Sequence, residues 1–285
     1  MKVYIDCVHC YLKQAVSCMT VANIDEDKQH EVLYKLMDYI KELDRNETPA
    51  ANSTKVVLKT YELIGTDDPY KDVKKESNDI ALKYYPKLKA MLNKSNDRLY
   101  DALKIAVAGN VIDLGINRDF DIDAALEQSM KIGFTKDNYD VFREKLNKVD
   151  EILFLGDNAG EIVFDKILIE ELVSMDKKVT YVVKEAPVLN DSTMEDVKYV
   201  GMDKVANVIT TGSNYLGLSF EHSSPEFLEV LNNAKLVISK GQANFESLED
   251  RFVGEQKVFF LLKLKCEGVA RVGCANFGDV VFFTK

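Results

Sequence analysis

The sequence predicts an α/β protein, a mostly parallel, doubly wound (Rossmann-like) sheet preceded by an all-helical N-terminal region. Three observations lead there. Residues 1–148 keep helical apolar spacing throughout. From Val149 onward, apolar runs of strand length alternate with helical segments, the pattern of a parallel sheet covered on both faces. Each strand-like run ends in polar and glycine-containing residues, the edge at which open α/β sheets bind ligands. The expected division is residues 1–148, helical, and 149–285, an α/β domain.

The helical half opens with Asp6-Cys-Val-His-Cys10 and an apolar-periodic segment from Tyr11 to Val21. Asp27 to Leu43 repeats the spacing, with Val32, Leu33, Leu36, Met37 and Ile40 on one stripe. After the loop Asn46–Ala50, Ser53 is positioned to cap a helix through Leu63. Gly65-Thr-Asp-Asp-Pro69 is a second break, with Asp67 or Asp68 as cap and Pro69 as first helical residue of a long charged helix to about Leu92. Ser95 or Asn96 starts the next, which ends in Asn110-Val-Ile-Asp113. Two short helices follow, near 121–131 and 136–147.

In the second half the strand-like runs are Ile152–Leu155, Val179–Val183, Val205–Thr210, Leu236–Ser239 and Val258–Leu264. Helices are expected between them at 160–175, 192–201, 224–233 and 244–250. Gly268–Gly273 and Gly278–Phe283 read as two further strands. There is no internal repeat and no low-complexity segment.

Composition narrows the classes. A hydrophobic fraction of 46% supports a packed core. No window has the apolar length of a membrane span and the N-terminus lacks a signal-type apolar core, so a cytoplasmic location is expected. A formal net charge of −10 argues against non-specific binding to nucleic acid or to anionic membrane. Five cysteines in a chain of 285 residues do not make a disulfide framework.

The strand ends carry the chemistry. The first supplies Gly156, Asp157 and Asn158; the second Lys184, Asn190 and Asp191; the third Gly212 and Asn214; the fourth Lys240, Gly241 and Asn244; the fifth Lys263, Lys265 and Cys266. In a parallel sheet these ends share one edge. Carboxylate and amide oxygens suit a hard cation such as Mg²⁺ or Mn²⁺. Lysines act as point charges on phosphate, and backbone N–H groups around Gly156, Gly212 and Gly241 can cradle oxygens.

Each piece also has a plainer reading. Asp157-Asn158 and Asp191 can simply cap the helices that follow them. Lys240-Gly241 can be an ordinary turn, Lys265 a solvated lysine, and Asn110 with Asp113 a helix terminus. It is their joint placement at successive strand ends that favours a site. Cys7 and Cys10 form a lone Cys-x-x-Cys, which falls short of a four-ligand zinc set and equally fits structural thiols.

Several segments together resemble one family. Gly156-Asp-Asn-Ala-Gly-Glu-Ile-Val-Phe-Asp165, Pro187-Val-Leu-Asn-Asp-Ser-Thr-Met-Glu-Asp196 and Lys240-Gly-Gln-Ala-Asn-Phe-Glu246 resemble the signatures of the metal-dependent damage-control phosphatases (domain of unknown function 89). Ala108-Gly-Asn-Val-Ile-Asp113 and Asp6-Cys-Val-His-Cys10 fit as well, and the likeness is to the compact prokaryotic branch that carries the Cys-x-x-Cys. The resemblance implies hydrolysis of phosphate monoesters with Mg²⁺, Mn²⁺, Co²⁺ or Ni²⁺. It implies that Asp157, Asn158 and Asp191 hold the metal and, with Lys240 on the phosphate, form the catalytic set. Asn244 would line the pocket, Lys265 would make a second phosphate contact, and Asn110 and Asp113 would reach in from the helical half. Gln242 stands where other members often carry Asp.

The leading expectation is thus a metal-dependent phosphatase acting on small phosphorylated metabolites, with water preferred to a carboxylate as the nucleophile. Two alternatives stay open. One is an S-adenosylmethionine-dependent, methyltransferase-like nucleotide enzyme, suggested by the glycine-containing turn after the first strand. The other is a non-catalytic metal or redox module centred on Cys7 and Cys10.

Overall fold

The computed structural model describes residues 1–111, 122–255 and 257–285. Helices α1 (Ile5–Val21), α2 (Glu26–Lys41), α3 (Pro49–Ile64), α4 (Lys71–Leu92), α5 (Arg98–Val111) and α6 (Ile122–Ile132) come first. Then follow β1 (Lys136–Asp137), α7 (Tyr139–Leu146), β2 (Glu151–Leu155), α8 (Glu161–Ser174), β3 (Lys178–Val183), α9 (Met194–Val200) and β4 (Asn207–Thr210). The chain closes with α10 (Pro225–Asn233), β5 (Val237–Lys240), α11 (Gln242–Leu248), β6 (Val258–Lys263), α12 (Glu267–Gly273) and β7 (Val280–Thr284).

The seven strands form one sheet in the order β1-β7-β6-β5-β2-β3-β4. All neighbouring pairs are parallel except β6 with β7. From β2 the chain winds one way through β3 and β4, then returns to the other side of β2 for β5 and β6. The carboxyl end of β2 is therefore the switch point of the winding, where an open crevice forms.

Alternation along β2 sends side chains to two cores. Ile152 and Phe154 point to a core shared with α5, α7 and α8, whereas Leu153 and Leu155 join Phe245, Phe260 and Phe283 on the other face. Helix α8 is buried nearly all round because it is sandwiched between the sheet and the helical half. Its close approach to α5 needs Gly109, since a Cβ there would lie 3.2 Å from Cβ of Phe164. Smaller clusters hold α1, α2 and α3 together. No helix among the described residues is long and apolar enough to cross a membrane.

Several local expectations need correction. Helix α3 begins at Pro49 with Thr48 as its cap, accepting from the Ala51 N–H at 3.2 Å; Ser53 lies inside the helix and donates to Gln14. Helix α4 starts at Lys71, after Pro69, and Asp68 pairs with Lys74 at 2.9 Å instead of capping. Helix α5 starts at Arg98, with Asp97 accepting from the Tyr100 N–H. The segment 136–147 opens with the edge strand β1, too short for periodicity to reveal, which pairs with the distant β7. Gly268–Gly273 is helix, not strand. The turn is started by Cys266, whose Sγ accepts from the Val269 N–H, and Val269 and Ala270 pack their buried side chains into the core beside β6 and β7. Gly268 is required by packing, because a Cβ would come within 2.9 Å of the Tyr4 ring.

Phe142 ties α7 to the sheet, with its ring 5.2 Å from those of Phe259 and Phe282 and no exposed surface. Phe142→Ala is expected to cost about 3–5 kcal/mol of stability, read as a lowered midpoint in urea unfolding.

Candidate active site at the end of β2

Gly156 turns the chain out of β2 directly over the Tyr181 ring, where a Cβ would lie 2.5 Å from the hydroxyl. Asp157 and Asn158 follow. They face the loop after β3, and the two loops are joined by backbone hydrogen bonds. The Ser192 N–H donates to the Asp157 carbonyl at 2.9 Å, the Ala159 N–H to the Asn190 carbonyl at 2.8 Å, and Asn158 and Asp191 form an antiparallel bridge. Asp157, Asn158 and Asp191 are thus neighbours although 34 residues separate the first from the last.

A buried charge network lies behind them. Glu161, in the first turn of α8, accepts from the amides of Asn158 (2.9 Å) and Asn110 (3.1 Å) and lies 3.3 Å from the Lys240 ammonium. Asn110 also donates to Asp157 at 3.2 Å and accepts from the Lys263 N–H, so α5 does reach into the site. Lys240 ends β5 with no exposed surface and donates to Asp165 at 2.5 Å and to the Ala106 carbonyl at 2.9 Å. It stands behind the carboxylates, enclosed by protein acceptors. Lys184, at the end of β3, is also buried; it donates to the Gly217 carbonyl and lies 3.7 Å from Asp191.

The neighbours tune these groups. Burial, then the carboxylates of Glu161 and Asp191, hold the Asp157 carboxyl well above its ordinary range. Burial raises Asp191 to about 6 against the pull of Lys184, and raises Asp165 to about 6 against that of Lys240. Burial lowers Lys184, with Asp191 opposing. For Lys240, burial pulls downward, but Asp165 and Glu161 outweigh it and the net shift is upward.

Four carboxyls (Asp157, Glu161, Asp165, Asp191) face two enclosed ammonium groups (Lys184, Lys240), a deficit of two positive charges. Beside Asp157 lies a cavity of about 10 Å³, room for about one water-sized atom, lined also by Lys184, Ser192 and Asn244. Ser192 Oγ and Asn244 Oδ1 have no hydrogen-bond partner within the protein. Uncompensated carboxylates and orphaned oxygens of this kind are what a hard cation with its water shell satisfies. Among the described residues no three His, Cys, Asp or Glu side chains form a ready-made cage. Of the three expected donors, Asp157, Asn158 and Asp191, Asp157 lines that cavity, and the other two stand on the joined loops beside it.

The remaining expected residues lie as follows. Asn244 donates to the carbonyls of Gly156 (3.0 Å) and Lys240 (2.7 Å), stitching two strand ends. Lys265 is exposed at the rim, close enough for its charge to lower the Asp157 carboxyl, and its N–H is held by Gln242 at 2.9 Å. Gly212 sits in an exposed turn after β4, packed against Ser224. Asp113 lies outside the described residues. Cys7 and Cys10 are free thiols at the start of α1, both shifted upward chiefly by burial. Sequence reasoning missed Glu161 and Asp165. Their signal was there: two carboxylates four apart on one helix face, among the apolar residues of its first turns.

A doubly wound sheet with carboxylates, amides and ammonium groups at its switch point defines the class as an α/β enzyme built to handle phosphate. The chain belongs to the damage-control phosphatase family, since the model of the damage-control phosphatase ARMT1-like domain matches residues 3–280. It is 34% identical over 274 residues to damage-control phosphatase PH1575 of Pyrococcus horikoshii, covering 95% of this chain and 94% of that one. It is 30% identical to a damage-control phosphatase of Archaeoglobus fulgidus, covering 99% and 98% of the two chains. It is 35% identical to an uncharacterized protein of Methanocaldococcus jannaschii, covering 100% and 96%. The crystal structure of the P. horikoshii DUF89 protein superposes with a TM-score of 0.91 at 32% identity, covering 100% of this chain and 99% of that one. The protein is a phosphatase of this family, and the methyltransferase-like alternative falls away.

Gly241 adopts φ +79°, and a Cβ there would lie 1.8 Å from Oδ2 of Asp157. Gly241→Ala is therefore expected to displace that carboxylate and cut phosphatase activity on p-nitrophenyl phosphate by roughly a hundredfold or more. Thermal melting of the variant should still show a cooperative transition.

Proposed function

We propose that the protein hydrolyses phosphate monoesters of small metabolites, sugar phosphates or damaged phosphometabolites, with the help of a divalent cation. The observation that carries this reading is the joining of the loops after β2 and β3, which sets Asp157, Asn158 and Asp191 side by side in a site short of positive charge. Mg²⁺, Mn²⁺, Co²⁺ or Ni²⁺ suits these oxygen donors and, when bound, would neutralise phosphoryl charge and acidify a water.

The chain's own residues supply the rest. Asp157, Asn158 and Asp191 hold the cation. Glu161 fixes the Asn158 amide by accepting from it, which leaves the amide oxygen as the free donor. Lys265 at the rim and Lys184 beside Asp191 bring positive charge to the phosphoryl oxygens as negative charge develops. Lys240 acts from behind, holding Glu161 and Asp165 in place. Asn244 keeps Gly156 against the end of β5, so Asp157 cannot drift.

Hydrolysis of p-nitrophenyl phosphate should be activated by one or more of these ions and abolished by a chelator. Asp157→Ala should lower the metal-activated rate at least roughly a hundredfold. A rate equal to wild type would remove Asp157 from the chemistry, and activity undiminished by chelation would end the metal reading.

A pH effect follows with a definite sign. Asp165 and Asp191 have folded-state values raised to about 6, above those of an unfolded carboxyl. Their contribution to stability is fully present below the unfolded value and is lost as pH rises through about 6. Metal-free protein should therefore melt lower at pH 7.5 than at pH 5.5. Saturating Mn²⁺ should remove the share that belongs to Asp191, because the cation would bind that carboxylate ionised, and leave the share of Asp165, which is paired with Lys240.

A further inference from the structure

Helix α4 sends one side chain into the space between the two site loops. Asn78 is 1% exposed and 82 residues from its nearest polar partner in the site. Its Oδ1 accepts from the Gly160 N–H at 2.7 Å, two residues beyond Asn158. Its Nδ2 donates to Oδ1 of Asp196 at 2.8 Å. Oδ2 of Asp196 accepts in turn from the N–H and the hydroxyl of Thr193, at 2.9 and 3.0 Å, two residues beyond Asp191. One buried amide is thus the middle link of a chain running from one metal-holding loop to the other.

The backbone explains why such a link is useful. Gly160 has φ +79° and caps α8 without a side-chain bond of its own, so nothing in its own residue type fixes the turn. The Asn78 oxygen supplies the missing partner. At the other loop, Asp196 closes a capping box on Thr193 that fixes where α9 begins. The hydrogen bonds between the two loops fix their mutual spacing, Asn244 holds the first loop at Gly156, and the Tyr61 hydroxyl holds the second by accepting from the Leu189 N–H. Asn78 anchors the pair to a third element.

We infer that Asn78 is a positioning residue for the metal site, acting through Gly160 and Asp196 to set the geometry of Asp157, Asn158 and Asp191. The inference rests on the metal-dependent reading above. Outer partners of metal ligands typically change affinity by about 10–100-fold when removed.

A donor–acceptor swap tests it. Asn78→Asp would keep the bond to Gly160 but set two carboxylate oxygens against each other. Asp196→Asn would set two amide nitrogens face to face. The double variant N78D/D196N restores every bond of the chain with donor and acceptor exchanged, and leaves net charge unchanged. Mn²⁺ binding is measured by calorimetry, alongside the Mn²⁺ concentration that half-activates p-nitrophenyl phosphate hydrolysis. Each single variant is expected to bind Mn²⁺ roughly tenfold more weakly, and the double variant to return within about threefold of wild type. The added carboxylate of N78D would by itself attract the cation, so weakening there reports geometry. Ser77→Ala, whose hydroxyl donates to the Val73 carbonyl within the same helix, is the control and should bind as wild type does.

Single variants within about twofold of wild type, a double variant no tighter than the singles, or an equal loss in Ser77→Ala would each overturn the inference. If a single variant does not fold, the double variant decides alone: about tenfold weakening overturns the pairing and near-wild-type binding supports it. Wild type that binds no Mn²⁺ overturns the metal reading and this inference with it. Wild type that binds, with variants that bind equally well, overturns this inference only.

Discussion

The short antiparallel contact between the loops after β2 and β3 is the constraint on which the site depends. Parallel strands deliver side chains to a common edge, but edge placement alone leaves loops free to splay. Here the Asp157 carbonyl, the Asn190 carbonyl and the N–H groups of Ala159 and Ser192 pair across the crevice. The backbone polar groups of two tight turns are satisfied by each other, and their acidic side chains are thereby forced together. Repulsion between those carboxylates opposes the contact. The pairing persists because the unpaired alternative would leave buried N–H and carbonyl groups without partners.

The second layer is electrostatic. Placing Asp165, Glu161 and Lys240 inside an apolar sandwich is unfavourable unless each finds partners. Lys240 finds three acceptors, Asp165 receives Lys240 and the Tyr181 hydroxyl at 3.0 Å, and Glu161 receives two amides. The network is satisfied at its base, while the small cavity beside Asp157 is also lined by Ser192 and Asn244, whose buried Oγ and Oδ1 have no partner within the protein.

Close approach is the third requirement. Gly241 lets the end of β5 run directly under the Asp157 carboxylate, and Gly156 lets β2 turn over Tyr181. These two glycines, with Gly109 at the crossing of α5 and α8, keep the helical half, the sheet and the loops within hydrogen-bonding reach. Asn110 depends directly on that crossing. It is the residue after Gly109, and its amide bridges α5 to both Asp157 and Glu161.

The sequence by itself determined the strand–helix alternation, the edge at which ligands meet, and the recurring motifs around Asp157, Asp191 and Lys240. These are local or periodic, written in apolar spacing and in short strings of residues. It could not give the helix at Glu267–Gly273, because the four residues between Gly268 and Gly273 are too few to show either period. Nor could it give β1, whose two residues are strand only through β7. Tertiary structure alone decided that Lys240 would be enclosed behind Glu161 and Asp165 and that Lys184 would stand beside Asp191. It alone brought Asn78 between two loops 82 and 118 residues away. The physical reason is common to all four. Hydrogen bonds and charge pairs between distant residues have no period, so they become legible only when the sheet closes the distance.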